Sequence, residues 1–141
     1  MLEKDAILAK ISIIKKCLST IQKVTGLDPA KLNDYMVEDV FVLNLQRSIQ
    51  ASIDIANIII AKEGWRLPAS YKESFKELFE HKIIDKNTCD QMIKMVGFRN
   101  IAVHDYQELK REILESILQK NLKDLESFYT VVYNRFVKEE H

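Results

Sequence analysis

Over residues 2–24 the apolar side chains Ile7, Ile11, Ile14, Leu18 and Ile21 recur at alternating spacings of four and three, the rhythm that lays them along one stripe of an α-helix. Such a helix needs other apolar stripes to pack on, and the chain supplies them. Only three glycines and two prolines interrupt 141 residues, too few for the many corners of a sheet protein and enough to separate a few long helices. The fold class is therefore all-α, and short links between long amphipathic helices favour an antiparallel bundle of about five helices.

The punctuation places those helices. Thr25-Gly26 ends the first, because glycine readily takes the left-handed conformation at a helix C-terminus, and Asp28-Pro29 is a start signal. A short turn near Asp28 to Asn33 precedes a long second helix from about Asp34 to Glu63, stopped by Gly64 and Pro68. Ser70-Tyr-Lys-Glu73 has the form of a capping box, in which the glutamate reaches back to the serine amide, and opens a third helix over about Tyr71 to His81. Asp85 caps a fourth, expected to end near Gly97 or Arg99, with Met92, Ile93 and Val96 buried. The fifth, from about Glu108 to Val137, carries Leu114, Leu118, Leu122, Leu125, Phe128, Val132 and Phe136. Trp65, following Gly64, is expected to pack over a helix end. No repeat or linker divides the chain, so residues 1–141 read as one domain.

Composition narrows the function classes. With 47% hydrophobic and 30% charged residues the chain has the balance of a folded soluble protein. Its formal net charge of zero removes the broad positive field of a nonspecific nucleic-acid binder, so any RNA contact must be local. Cys17 and Cys89 lie far apart, and His81, His104 and His141 show no paired helical spacing, which argues against a protein-bound zinc site. No cofactor motif is visible. The start of the chain is not a continuous apolar segment, and no apolar run reaches bilayer length. The expectation is a cytoplasmic protein with reduced thiols, without a membrane partner.

Chemistry concentrates in Gly97-Phe-Arg99-Asn100-Ile-Ala-Val-His104-Asp-Tyr106. A histidine titrates near neutral pH and can take the proton of a ribose 2′-hydroxyl, while an arginine binds phosphate oxygens with two hydrogen bonds and stabilises transition-state charge. That pair suits RNA cleavage without a metal, leaving a 2′,3′-cyclic phosphate and a 5′-hydroxyl. Residues five apart on a continuous helix point in different directions, so Arg99 and His104 converge where the helix ends or bends between them. An extended chain after Val103 would put His104 and Tyr106 on one side. Read without further context, the same residues also fit a helix-end histidine, a surface arginine and a packed tyrosine.

Arg99-X4-His104-X-Tyr106 resembles the R-X4-H-X-Y motif of the HepT branch of the HEPN superfamily. The likeness extends through Met95 to Tyr106, upstream to Leu45-Gln-Arg-Ser-Ile-Gln-Ala-Ser-Ile-Asp-Ile-Ala56, and to Pro68-Ala-Ser-Tyr-Lys-Glu-Ser-Phe75. The resemblance implies a HEPN helical bundle, a homodimer with two motifs at a shared cleft, and a ribonuclease toxic to its cell. It further implies a MntA-like nucleotidyltransferase antitoxin as partner. By position, Arg99 and His104 are then catalytic, Asn100 is the polar neighbour that shapes the motif, and Tyr106 is the residue whose hydroxyl is adenylylated.

Independently of any family, Arg47, Gln50, Asp54 and Asn57 form a polar stripe at spacings of three, four and three on the second helix. It either lines the dimer cleft, with Asp54 orienting Arg99 or Arg47, or is a solvated helix face. Two other functions also fit the sequence: a noncatalytic subunit presenting a nucleotide or substrate to a nucleotidyltransferase, and a purely structural dimerising bundle.

Overall fold

A computed structural model describes residues 2–104 and 109–138. Helix α1 spans Leu2–Thr25, a 3₁₀ turn Pro29–Asn33, α2 Tyr35–Glu63, α3 Tyr71–Glu80 and α4 Lys86–His104. The last helical stretch comprises α5 (Arg111–Ser116), a π turn (Ile117–Asn121), α6 (Leu122–Val132) and a second π turn (Tyr133–Val137). No strand occurs among the described residues.

The stops are where glycine and aspartate put them. Gly26 and Gly64 take positive φ, 58° and 70°, and the Trp65 amide donates to Ile60 O beyond the second of these. Asp28 accepts from the Ala30 amide and Asp34 from that of Met36, opening the 3₁₀ turn and α2. At α3 the Glu73 amide donates to Ser70 Oγ, but the Glu73 carboxylate accepts from the Ala69 amide, one residue before the expected partner. Trp65 stacks flat on His81, with ring centroids 3.7 Å apart, and so ties the α2–α3 link to the far end of α3.

Side-chain pairings fix the directions of the long elements. Lys10 meets Asp54, so α1 and α2 run antiparallel. Arg111 reaches Asn33 and Glu38 at the start of α2, and Lys62 lies over Phe136, so the 111–137 stretch runs parallel to α2. The buried faces of all helices meet in one core, with Phe41, Phe75 and Phe128 fully enclosed and Phe75 set edge-on to Phe128.

Two expectations need correction. Gly97 does not end α4, because Met95, Phe98 and Ala102 continue its buried stripe past the glycine and carry the helix to His104. The last helix is interrupted by two π turns, each lying in a run of four-residue spacings, Leu114-Leu118-Leu122 and Phe128-Val132-Phe136. Two successive fours carry an apolar stripe about 80° round an α-helix, and the extra residue of a π turn takes most of that drift back.

Candidate active site

The motif sits on the last turns of α4, where the helix leaves the core. Its start is fixed by Asp85, whose Oδ1 accepts from the Thr88 amide at 2.8 Å; that backbone bond, aided by the Thr88 hydroxyl, holds the Asp85 carboxyl below the usual carboxylate range. Met92, Met95 and Val96 then bury the helix, with Ile93 partly covered. Beyond Ala102 the side chains emerge: Val103 is 49% exposed and His104 stands in solvent.

Arg99 is half-buried and held from two sides. Its Nη1 donates to Asn100 Oδ1 at 3.3 Å, and its guanidinium carbon lies 5.2 Å from the centre of the Tyr71 ring. Both contacts restrict the fork without neutralising it, since a π face attracts a cation but takes no proton. Tyr71 is the functional neighbour that sequence reasoning missed. Its place in α3 gave no signal: it directly follows the cap Ser70 and stands four residues before Phe75 and seven before Leu78, so its spacing reads as part of the core stripe although it is 40% exposed.

Because α4 is continuous from Arg99 to His104, the expected break between them is absent. Their Cα–Cβ directions therefore diverge by about 140° within one chain. Asn100 lies between them, half-buried. Tyr106 lies outside the described residues, and with it the expectation of an extended chain carrying His104 and Tyr106 on one side.

The polar stripe on α2 has three different fates. Gln50 donates to Asp54 at 2.9 Å, and Asp54 pairs with Lys10 of α1 at 3.0 Å, so this carboxylate is engaged by a lysine and an amide in place of Arg99 or Arg47. Asn57 accepts from the buried Ser74 hydroxyl at 2.8 Å, which pins α3 to α2 and hence fixes the helix that bears Tyr71. Arg47 is exposed beside α1, close enough for its charge to oppose the upward push that burial gives the Cys17 thiol. Cys89 is likewise raised by burial, its Sγ 3.6 Å from Phe75 O. Both thiols are buried and protonated at neutral pH, away from the reactive class. Among the described residues no cluster of histidine, cysteine and acidic side chains has metal-binding geometry, and no helix is long and apolar enough to cross a membrane.

What this end of the molecule offers is an accessible imidazole and an oriented guanidinium whose remaining N–H groups find no acceptor among the described residues. That is equipment for a phosphate ester: a proton carrier and an anion clamp.

Known proteins share both the fold and the sequence that builds this end. The family described as ribonuclease HepT-like matches residues 14–132. The mRNA nuclease HepT of Shewanella oneidensis is 42% identical over 128 residues, 91% of this chain and 96% of that protein. A solved structure of a tri-AMPylated Shewanella oneidensis HEPN toxin in complex with its MNT antitoxin superposes with a TM-score of 0.88 at 42% identity, covering 93% of this chain and 98% of that one. A toxin–antitoxin structure with AMP-PNP gives a TM-score of 0.88 at 41% identity over 93% of this chain and 99% of that one. A match this long takes in α4 and the helices that hold it, and the chain belongs to the HepT-like ribonuclease family.

Proposed function

We propose that this chain is the endoribonuclease toxin of a toxin–antitoxin pair, working in the cytoplasm as one HepT-like domain. The observation that carries the reading is the end of α4: Arg99 oriented by Asn100 and Tyr71, and His104 exposed one turn further on. The nuclease and antitoxin-bound toxins to which the chain is similar support it.

His104 takes the proton of a ribose 2′-hydroxyl, whose oxygen attacks the adjacent phosphorus. The bond to the 5′-oxygen breaks, that oxygen is protonated, and the products are a 2′,3′-cyclic phosphate and a 5′-hydroxyl. Arg99 binds the nonbridging oxygens as charge builds on them. Because Arg99 and His104 diverge on one helix, a twofold dimer whose interface includes parts of α2 and α4 completes the site, setting the two motifs face to face. Regulation falls on Tyr106, which a MntA-like nucleotidyltransferase adenylylates. The AMP phosphate then competes for Arg99, and its adenosine occupies the space an RNA nucleotide needs.

Wild-type, Arg99→Ala and His104→Ala proteins are incubated with total RNA in excess chelator, and the new ends are analysed. Each variant should lose about 10²–10⁴-fold in turnover with helical content unchanged. Mixing the two variants should restore part of the activity if the site spans two protomers. Full cleavage by either single variant would remove the proposed mechanism, and no cleavage by the wild type would transfer the chain to the noncatalytic binding class. Mass spectrometry after coexpression with the partner should find AMP on Tyr106, and Tyr106→Phe should escape neutralisation; AMP on another residue alone would sink that assignment.

A further inference from the structure

Beside the motif, α4 and the segment from Leu109 to Asn121 enclose an open cleft of about 690 Å³, within the size range of small-molecule sites. Its floor is apolar, formed by Met95, Phe98 and Ile117, with the half-exposed Ile101 and Ile113 at its lips. Lys94 and Lys120 stand on opposite walls, and neither is ion-paired to another described residue. Glu112 adds a carboxylate.

Gly97 lines the same cleft. It sits inside a helix, where glycine weakens the structure, yet a Cβ built there would meet nothing within 4 Å. The packing of this chain therefore gives no reason for the glycine, while its absent side chain leaves α4's backbone bare towards the cleft. The cleft also adjoins the chemistry. Ile101 and His104 are neighbours at i and i+3 on α4, and Gly97 lies about 10 Å along the axis from His104 on the same face, a span of a nucleotide or two of single-stranded RNA.

We infer that this cleft is the base subsite for a nucleotide flanking the scissile phosphate, and that it selects bases bearing an exocyclic amino group over uracil. The inference rests on the ribonuclease reading. Apolar walls with an aromatic ring and a methionine suit the faces of a base. The two lysines suit the phosphates on either side of it, and burying them under an apolar protein partner would strand both charges. Glu112 supplies an acceptor for an amino group, which uracil lacks.

The test uses the 141-residue chain with two cleft variants away from the motif, and an inactive motif variant for the binding measurement. Ile113→Trp fills the cleft from a position already 44% exposed, and Glu112→Gln keeps the shape while removing the carboxylate. Individual nucleoside monophosphates are titrated into His104→Ala protein while the Ile101 and Ile113 methyl signals are followed by NMR. AMP and CMP should move both signals and UMP should not. In otherwise wild-type protein, Ile113→Trp should raise KM about tenfold with kcat little changed, and Glu112→Gln should narrow discrimination against uridine in the sequenced cleavage ends by about fivefold or more. Methyl signals that stay still at millimolar nucleotide would overturn the inference. So would an Ile113→Trp protein that loses self-association or antitoxin binding yet keeps its cleavage pattern, which would make the cleft a protein interface. Nucleotide binding in the cleft without RNA cleavage by the wild type would sink the ribonuclease reading and leave only a nucleotide-binding cleft, whereas cleavage dependent on His104 with no nucleotide in the cleft would sink the subsite alone.

Discussion

The seam between α1 and α2 and the last turns of α4 are built from similar residues to opposite ends. Along the seam most of the polar groups are engaged within the fold, Lys10 and Gln50 on Asp54, Ser48 on Leu45 O, and Ser52 on Ser48 O, with Arg47 left exposed. Around them Ile49, Ile53 and Ile55 are fully buried. At the end of α4 the apolar residues Ile101 and Val103 face outwards, Arg99 makes one hydrogen bond among the described residues, and His104 is open to solvent. The first region closes its chemistry on itself and fixes position. The second leaves its chemistry unspent on an element anchored elsewhere, which is where binding and catalysis are expected to depart from the rules of stability.

The comparison breaks most sharply by removing a side chain from each region. Ile53→Ala empties a site with no exposure and should cost about 2–5 kcal/mol of stability, read as a fall in melting temperature, with activity per folded molecule retained. Arg99→Ala should do the reverse, keeping the melting temperature while cleavage falls by about 10²-fold or more. A large loss of stability in Arg99→Ala would mean that the α4 end is a structural corner after all.

Tyr71 sharpens the contrast because it links the two regions: Asn57 and Ser74 hold α3 to the bundle, and Tyr71 carries that rigidity to Arg99. Tyr71→Phe keeps the π face and should cleave normally. Tyr71→Leu keeps bulk without the cation–π contact, which is worth about 0.5–1 kcal/mol at such a partly exposed site. It should lower kcat about two- to fivefold with KM unchanged and with the same thermal midpoint. Equal activity in both variants would remove the tyrosine from the positioning of Arg99.

Asp54 tests the seam from its polar side. Its pair with Lys10 is about one-third exposed on each partner, so solvent screening leaves it worth less than about 1 kcal/mol. Asp54→Asn should shift the melting temperature slightly and leave cleavage unchanged. A tenfold loss of cleavage at unchanged stability would restore Asp54 to the cleft that the sequence first offered it.

The helices were legible in the sequence because their causes are local. Apolar spacing set the stripes, and Gly26, Gly64, Asp34 and Asp85 set the ends within a residue or two. Gly97 misled because a mid-helix glycine and a terminal one look alike along a chain, and only the burial of Phe98 and Ala102 decides between them. The π turns were hidden for a related reason, since a run of fours still reads as helical. In the site, Arg99 and His104 stood out by resemblance, whereas the partners of Asp54 and the approach of Tyr71 to Arg99 arise from helices meeting in space. No spacing within α2 or α3 encodes them.

The smallest effect lies at the other end of α4 and separates its anchoring from its chemistry. Asp85 is fully exposed, and its carboxyl is held below the usual range chiefly by the Thr88 amide. A group whose folded pKa lies below its unfolded value stabilises the fold above the unfolded value, and that contribution is lost as pH falls through the folded one. The first turn of α4 should therefore fray as the solution is acidified from about pH 6 to about pH 3, seen as falling hydrogen-exchange protection at the amides of the first turn. Asparagine caps a helix about as well as aspartate but does not titrate. Asp85→Asn should thus hold that protection nearly constant across the same range, with neutral-pH cleavage equal to wild type, because the turns that carry Arg99 and His104 are fixed by Met95, Phe98 and Ala102 and not by the cap. If Asp85→Asn frays with acid as steeply as the wild type, another carboxylate governs this helix start.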